Sequence, residues 1–217
     1  MKKTRIFIVR HTETVGNIEK RLTGRQDYEV TPRGEKLIQK LTTELSNIKF
    51  DKIYSSTSGR AIKTVENLAK LNNLEIETKE DLCEMYFGKY DGWKWEDVNR
   101  IQPEIKQRQN EINEILGIEE QETMEHVADR IDKCIRNIAQ ANIGKTILIS
   151  SHGVAIEAFL RKISGIPFSQ EREKFCQYNV AINELEYEND KFKIIQLANI
   201  DYLNEEQKWV KKKHWYQ

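Results

Sequence analysis

Short apolar runs and amphipathic stretches alternate along this chain. The apolar runs predict β-strands over four segments, Arg5–Val9, Lys52–Ser55, Glu75–Thr78 and Thr146–Ser150. Apolar residues at helical spacing, or residues typical of helix starts, predict helices over four more, Pro32–Leu45, Ser58–Asn72, Thr123–Ala141 and Val154–Ile163. A strand that precedes a helix, repeated several times, is typical of a sheet built from parallel strands.

Two further regions complete the predicted order of elements. The polar segment Glu96–Leu116 is predicted to be helical, with an interruption at Pro103. Near the end of the chain, the alternating runs Gln177–Tyr187 and Phe192–Leu197 flank the polar residues Glu188–Lys191, a pattern that predicts a β-hairpin. We therefore expect an α/β protein, a three-layer α/β/α sandwich whose mostly parallel sheet carries an antiparallel edge.

Length and composition limit the possible functions. The 217 residues fit one domain spanning residues 1–217, and no repeat or Pro/Gly/Ser-rich linker divides them. Lysine plus arginine and aspartate plus glutamate number 35 each, so no overall basic field attracts nucleic acid or a membrane. No apolar stretch approaches the length of a membrane span, and the apolar run Ile6–Val9 is too short for a signal peptide.

The three cysteines, Cys83, Cys134 and Cys176, are widely spaced and form no metal-ligand pattern. This usage is typical of a reducing compartment, so we expect a cytoplasmic protein with no bound metal and no cofactor.

The segment Ile6–Asn17 carries the most specific chemical signal. Its apolar run ends in Arg10-His11 and so resembles a buried parallel strand leaving the sheet, where ligands bind in open α/β folds. An imidazole can act as a nucleophile, and a guanidinium matches the geometry of phosphate. Together they suggest phosphoryl transfer through a phosphohistidine, although a purely structural His–Arg pair is the commoner arrangement.

Three other segments carry similar candidates, each with a structural alternative. Arg60 follows a run of hydroxyl residues at a predicted helix start. This arrangement fits either an anion site or a capped helix with a surface arginine. Glu84 lies among apolar residues and glycines, which suits a general acid but also an ordinary loop. His152-Gly153 ends another apolar strand, either as a second site histidine or as a buried one bonded to the backbone.

Together these motifs resemble those of the histidine phosphatase superfamily, the phosphoglycerate-mutase-like proteins. The family's opening Arg-His-Gly-Glu-Thr and later Asn stand here as Arg10–Thr14 and Asn17. Its later blocks match, in order, Gly24–Asp27 with Thr31 and Gly34, then Ser55, Ser56, Arg60 and Ala61, then Glu84 and Gly88, then His152-Gly153. Order and spacing agree over roughly residues 5–165, which implies a phosphoglycerate-mutase-like fold.

The resemblance implies a role for each matching residue. His11 would be the nucleophile and Glu84 the proton donor. Arg10, Arg60 and a cationic His152 would complete the catalytic phosphate pocket. Further phosphate contacts would come from Asn17 and Gly153, with Thr12, Thr23 and Gly24 as additional candidates. Thr12 stands where the family usually has Gly, and we expect it to tighten or reshape the pocket.

Three functions remain open at this stage. The first is a phosphatase acting on a small phosphorylated substrate, the second a phosphoglycerate mutase, and the third a catalytically weak protein that binds a phosphorylated ligand. The segment between Glu84 and His152 is short, and the polar stretch Lys94–Ile118 replaces a recognisable mutase insertion, which favours the phosphatase. The protein is expected to be a monomer or a homodimer.

Two aromatic groups have no unique interpretation. Tyr90, Trp93 and Trp95 fit either a lid over the pocket or the core of that lid. The tail Asn204–Gln217 holds two tryptophans around the basic run Lys211–His214. We expect it to pack on the domain near the pocket mouth, with a solvated terminus as the alternative.

Overall fold

The computed structural model describes residues 2–101, 121–168, 170 and 172–204. Its single six-stranded sheet has the order β3-β2-β4-β1-β5-β6. The strands are β1 (Thr4–Arg10), β2 (Lys52–Ser55), β3 (Ile76–Thr78), β4 (Thr146–Ser151), β5 (Ile182–Glu188) and β6 (Lys191–Asn199). Strands β1 to β4 are parallel, β5 is antiparallel to β1, and β6 is antiparallel to β5. The predicted mostly parallel sheet with an antiparallel edge is confirmed.

The described α-helices are α1 (Val15–Ile18), α2 (Pro32–Leu45), α3 (Gly59–Asn72), α4 (Trp95–Ile101), α5 (Met124–Ala141) and α6 (Gly153–Ser164). Local sequence explains several of their ends. Helix α2 starts at Pro32, and the Thr31 hydroxyl before it accepts a hydrogen bond from the N–H of Gly34. Helix α6 ends before Gly165, which has a positive φ of 64°.

Helices cover both faces of the sheet. Successive side chains of a strand point to opposite faces, so one strand contributes residues to two apolar clusters. Ile6 and Ile8 of β1 belong to a buried apolar cluster with residues of helices α5 and α6. Phe7 and Val9, which alternate with them, belong to a second cluster with residues of α2 and α3. The three-layer α/β/α architecture is thus confirmed.

Strand register brings the predicted site segments together. Arg10 at the end of β1 pairs with Ser151 at the end of β4, so His11 and His152 follow neighbouring parallel strands. Ser55 at the end of β2 pairs with Ser150 on the other side of β4. The carboxyl ends of β1, β4 and β2 therefore form one edge, where open α/β sheets bind their ligands.

Several element boundaries differ from the sequence-based expectation. Strand β5 begins at Ile182 instead of Gln177, because residues 178–181 form a turn in which the N–H of Ala181 donates to the Tyr178 carbonyl (2.9 Å) and Val180 has a positive φ. The hairpin turns at Asn189 and Asp190, which both have positive φ, as a two-residue type I′ turn requires. The short helix α1 was not predicted.

Some predictions fall outside the described residues. The expected helix Glu96–Leu116 overlaps α4 as far as Ile101, and its remainder lies outside the described part of the chain. Residues 205–217 also lie outside the described part of the chain. The packing of the tail and the assignment of 1–217 to one domain therefore stay predictions. Among the described helices, none has both the length and the apolar composition needed to cross a bilayer.

Candidate active site

His11 lies directly after strand β1 and is only 1% exposed. Its Nδ1 lies 2.7 Å from the Thr12 carbonyl oxygen, and because a carbonyl can only accept, Nδ1 carries the proton. Burial, followed by the positive charges of Arg60 and Arg10, holds the pKa of this imidazole well below its usual value. The ring is therefore neutral at neutral pH, and its Nε2 has a free lone pair.

His152 lies at the end of strand β4, with its ring centroid 5.2 Å from that of His11. Its Nδ1 is 3.1 Å from Nη2 of Arg60, and its Nε2 is 2.7 Å from the Ser56 hydroxyl. A guanidinium can only donate, so Nδ1 of His152 is an acceptor and the ring is neutral. Burial, Arg60 and His11 together hold the pKa of His152 well below its usual value. The expected cationic His152 is therefore wrong in this structure.

Arg60 is 1% exposed in the first turn of helix α3. Its terminal nitrogens donate to a set of oxygens in the loop of residues 23–27: the carbonyls of Thr23 (3.0 Å), Gly24 (2.9 Å) and Gln26 (2.7 Å), and Oδ1 of Asp27 (3.0 Å). Its Nε is buried and has no partner among the described residues. The loop therefore fixes the guanidinium and leaves that one donor for another acceptor.

The loop that holds Arg60 is itself tied to the segment after Glu84. The N–H groups of Gly24 and Arg25 donate to the Asp91 carboxylate at 2.9 and 2.7 Å. A Cβ on Gly24 would lie 2.5 Å from the Met85 carbonyl oxygen, so only glycine permits this approach. Thr23 and Gly24 thus hold the arginine through their carbonyls, and a direct phosphate contact from either stays a prediction.

Glu84 is 7% exposed and points at the start of helix α6. Its Oε1 accepts from the N–H groups of Met85 (2.9 Å) and Ala155 (3.0 Å), and its Oε2 accepts from that of Val154 (3.2 Å). The structure thus holds the Glu84 side chain in one orientation at the edge of the sheet.

Arg10 and Glu84 approach each other across Gly153. The Arg10 guanidinium donates from Nη1 to the Gln177 carbonyl at 2.7 Å. A Cβ on Gly153 would lie 3.3 Å from Arg10 Nε and 3.7 Å from Glu84 Oε2. Glycine at this position therefore lets a cation and a carboxylate lie against the same stretch of backbone.

Asn17 and Thr12 differ in where their side chains point. The Asn17 side-chain oxygen accepts from the N–H of Thr14 (3.1 Å) and from Asn179 Nδ2 (3.2 Å), and Asn17 lines the pocket. The Thr12 hydroxyl donates to the Gly34 carbonyl (2.7 Å), and its side chain is fully buried. Thr12 does not line the pocket, so the structure gives no support to the expected narrowing by this residue.

A pocket opens above these residues at the carboxyl edge of the sheet. Five predicted site residues line it: Arg10, Asn17, Thr23, Glu84 and Gly153. The other lining residues are Arg21, Leu22, Phe87, Trp95, Val154, Glu157, Cys176 and Gln177. His11, Arg60 and His152 are at most 1% exposed and lie outside this lining. Of the aromatic candidates, Trp95 lines the pocket, Tyr90 lies in the core, and Trp93 is 43% exposed.

Two residues that the sequence did not indicate hold the segment of His11 and Thr12. Asn179 donates from Nδ2 to the His11 carbonyl at 3.0 Å, and it also contacts Asn17. Thr64 accepts the N–H of Thr12 through its hydroxyl at 2.8 Å. Asn179 is 168 residues from His11 in sequence, and no local pattern indicates that contact.

No group of three or more histidine, cysteine, aspartate or glutamate side chains in the described part of the chain is arranged to hold a metal ion. No disulfide joins Cys83, Cys134 and Cys176 in the described part of the chain. Positive charge beside His11 is supplied by the guanidiniums of Arg10 and Arg60.

Comparison with known proteins identifies the family of this chain. The family model for the histidine phosphatase superfamily (branch 1) matches residues 6–200. A probable phosphoglycerate mutase, GpmB of Shigella dysenteriae, is 28% identical over 185 residues, which are 84% of this chain and 85% of that protein. The solved structure of Bacillus stearothermophilus YhfR covers 92% of this chain and 98% of its own, with a TM-score of 0.85 and 23% identity.

A second similar solved structure is a phosphoserine phosphatase mutant of Entamoeba histolytica in complex with phosphoserine. Its TM-score is 0.79 at 20% identity, and it covers 93% of this chain and 100% of its own. Both structural likenesses show the fold, while the family model spans nearly the whole chain. The chain belongs to the histidine phosphatase superfamily, branch 1.

Proposed function

We propose that the protein is a phosphatase that hydrolyses a small phosphomonoester through a phosphohistidine on His11. The observation that carries the proposal is the state of His11, a buried neutral imidazole whose Nδ1 proton is fixed on the Thr12 carbonyl. Its Nε2 lone pair is then available to attack phosphorus, which is the requirement for a nitrogen nucleophile. Arg10 and Arg60 supply positive charge beside it.

In the first step, Nε2 of His11 forms a bond to phosphorus as the bond from phosphorus to the ester oxygen breaks. Arg10 and Arg60 stabilise the negative charge on the non-bridging oxygens, which is the main task in phosphoryl transfer. Protonated Glu84 gives its proton to the leaving oxygen, and the alcohol departs. The unpartnered Nε–H of Arg60 is one donor available for this task.

In the second step, the Glu84 carboxylate takes a proton from water as the water oxygen bonds to phosphorus. The bond between phosphorus and Nε2 of His11 breaks, which releases inorganic phosphate and restores the neutral imidazole and protonated Glu84. His152 accepts a hydrogen bond from Arg60 and donates one to Ser56, so it acts by orienting the guanidinium.

A phosphoglycerate mutase is the second candidate, since the relative from Shigella dysenteriae is named as a probable one. Beyond Arg10, however, the described pocket wall contains one further cation, Arg21, which is paired with Glu19, and it also includes the acidic Glu157. A bisphosphorylated sugar acid carries several negative charges and needs cations beyond those that hold the transferred group. This wall therefore favours the phosphatase.

A non-catalytic phospho-ligand binding protein is the third candidate. It would have no need for the neutral, oriented imidazole of His11 or for a buried carboxylate at Glu84 next to the same pocket. These two features together favour an enzyme over a binding protein.

Product analysis separates the three candidates. Purified protein is incubated with a panel of phosphomonoesters and, separately, with 3-phosphoglycerate plus bisphosphoglycerate. Release of inorganic phosphate supports the phosphatase, and formation of 2-phosphoglycerate supports the mutase instead. Absence of both products, with binding still measurable, favours the binding protein and refutes the proposal.

A further inference from the structure

We propose that Arg130 is a positioning residue for the general acid Glu84; this inference rests on the proposed function. Arg130 lies on helix α5, outside the set of pocket-lining residues. Its Nη1 donates to the carbonyls of Asp81 (2.8 Å) and Cys83 (2.8 Å), and its Nη2 donates to the carbonyl of Glu84 itself (3.0 Å). One guanidinium thus binds the backbone at Glu84 and at two residues just before it.

The remaining donors of Arg130 bind a carboxylate. Nε donates to Oε1 of Glu122 at 2.8 Å and Nη2 donates to Oε2 at 2.9 Å, a bidentate pair whose side chains are only 10% and 12% exposed. Arginine has five N–H donors, and these five hydrogen bonds use all of them. A lysine has three donors and cannot reproduce this planar arrangement.

Glu122 extends the same contact to the other side of Glu84. Its Oε2 accepts the N–H of Tyr86 at 2.8 Å, and its own N–H donates to the Tyr86 carbonyl at 3.1 Å. The Arg130–Glu122 pair therefore binds the main chain before, at and after Glu84. Ordinary loop packing does not require such a set of bonds, so the pair restricts where the Glu84 backbone can lie.

The side chain of Glu84 is fixed by a different helix. Its carboxylate accepts N–H groups at the start of α6, whereas its main chain is bound by Arg130 of α5. Helices α5 and α6 belong to one apolar cluster on the same face of the sheet. The carboxylate position is thus set jointly by two helices, and loss of Arg130 frees one of the two attachments.

Displacement of Glu84 should impair proton donation specifically. Proton donation matters most for a poor leaving group and little for an activated one, and a small misplacement of a catalytic group costs up to about 100-fold in rate. The ratio of turnover on 4-nitrophenyl phosphate to turnover on phenyl phosphate measures this effect. Because both rates come from one preparation, the folded fraction cancels from the ratio.

The test compares Arg130→Lys with Arg136→Lys. Arg136 is a matched control on the same helix, where it pairs with Asp132 and Asp190 and makes no bond to the segment that carries Glu84. We expect Arg130→Lys to raise the ratio by about tenfold or more, while Arg136→Lys leaves it at the wild-type value. If Arg130→Lys fails to fold, Glu122→Gln replaces it in the test, because this change keeps the shape of the pair and removes its charge. Glu122→Gln should also raise the ratio.

Glu84→Gln separates this inference from the proposed function. It should raise the ratio by itself, and adding Arg130→Lys to it should raise the ratio no further. If Glu84→Gln leaves the ratio unchanged, the assignment of the acid is wrong and the proposal for Arg130 falls with it. If Glu84→Gln raises the ratio but Arg130→Lys and Glu122→Gln do not, the positioning role is overturned and the function stands.

Discussion

The two buried neutral histidines predict a specific loss of stability in mild acid. His11 and His152 both have pKa values well below the ordinary range in the folded protein, chiefly because of burial. In the unfolded chain each binds a proton as the pH falls through about 6.5. Unfolding therefore takes up protons below that pH, so acid favours the unfolded state. The stability supplied by the two neutral rings is present above about pH 7 and is lost from about pH 6.5 down to the lower folded-state pKa values.

The expected size follows from proton uptake by the unfolded chain alone. Between about pH 7.5 and about pH 5.5, one histidine that titrates only when unfolded lowers the free energy of unfolding by about 1.4 kcal/mol. Two such histidines lower it by about 2.7 kcal/mol together. This is a large share of the typical stability of a domain, about 5–15 kcal/mol, so it should be measurable.

Urea denaturation at the two pH values measures this loss directly. The comparison protein is the double variant His11→Gln/His152→Asn, which should lose about 2.7 kcal/mol less between the two pH values than the wild type. His126→Gln is the control for replacing a histidine outside the site, since this side chain is 64% exposed, and the loss assigned to His11 and His152 should remain in that variant. If the double variant and the wild type lose equal stability, the histidines titrate normally in the folded protein and the reasoning about the site is wrong.

Four further predictions concern the site and the tail. His11→Ala should lower turnover by about 10³-fold or more, and it should abolish an acid-labile, base-stable phosphoryl label that the wild type carries. Thr12→Val should lower the free energy of unfolding by about 1–3 kcal/mol, because the buried Gly34 carbonyl loses its donor. Turnover per folded molecule should not change, and a large fall in turnover at an unchanged melting temperature would contradict this prediction. Chelators should leave turnover unchanged, since two guanidiniums supply the positive charge, and activity restored by one added metal would indicate a metal-dependent enzyme. Truncation after Leu203 should lower the melting temperature or raise KM if the tail packs on the domain, and identical behaviour of both chains would show that it does not.

The sequence predicts the sheet and the main helices because their signals are local. Helix α2 illustrates this, since its predicted and observed bounds are both Pro32–Leu45, set by the proline, the Thr31 cap and the apolar spacing. The turn before β5 shows the limit of such signals. Residues 178–181 look like part of an alternating strand, but Val180 takes a positive φ because its N–H and carbonyl bond to Arg10 and Tyr202, which are distant in sequence.

The sequence predicts which residues form the site, but not the charge of His152 or the direction of the Thr12 side chain. Arg10, His11 and His152 stand at the ends of predicted parallel strands, so a position at the ligand-binding edge of the sheet could be foreseen. That their two strands are neighbours is shown only by the structure. The charge of His152 could not be foreseen, because it depends on which group donates to its Nδ1, and that donor comes from helix α3. The direction of the Thr12 side chain was equally hidden, since the acceptor for its hydroxyl is a carbonyl on helix α2.

The position of the first strand has a consequence for how the protein is made. Strand β1 lies between β4 and β5, with Arg5 opposite Thr146 and Thr4 opposite Tyr187. The strand that leads to the proposed nucleophile is synthesised well before both of its neighbours in the sheet. Until those neighbours are made, its four core residues Ile6–Val9 have no sheet to join. A nascent chain should therefore present this apolar segment to chaperones until β4 and the hairpin have been made, and arrested translation products that end before the hairpin should be inactive and prone to aggregate.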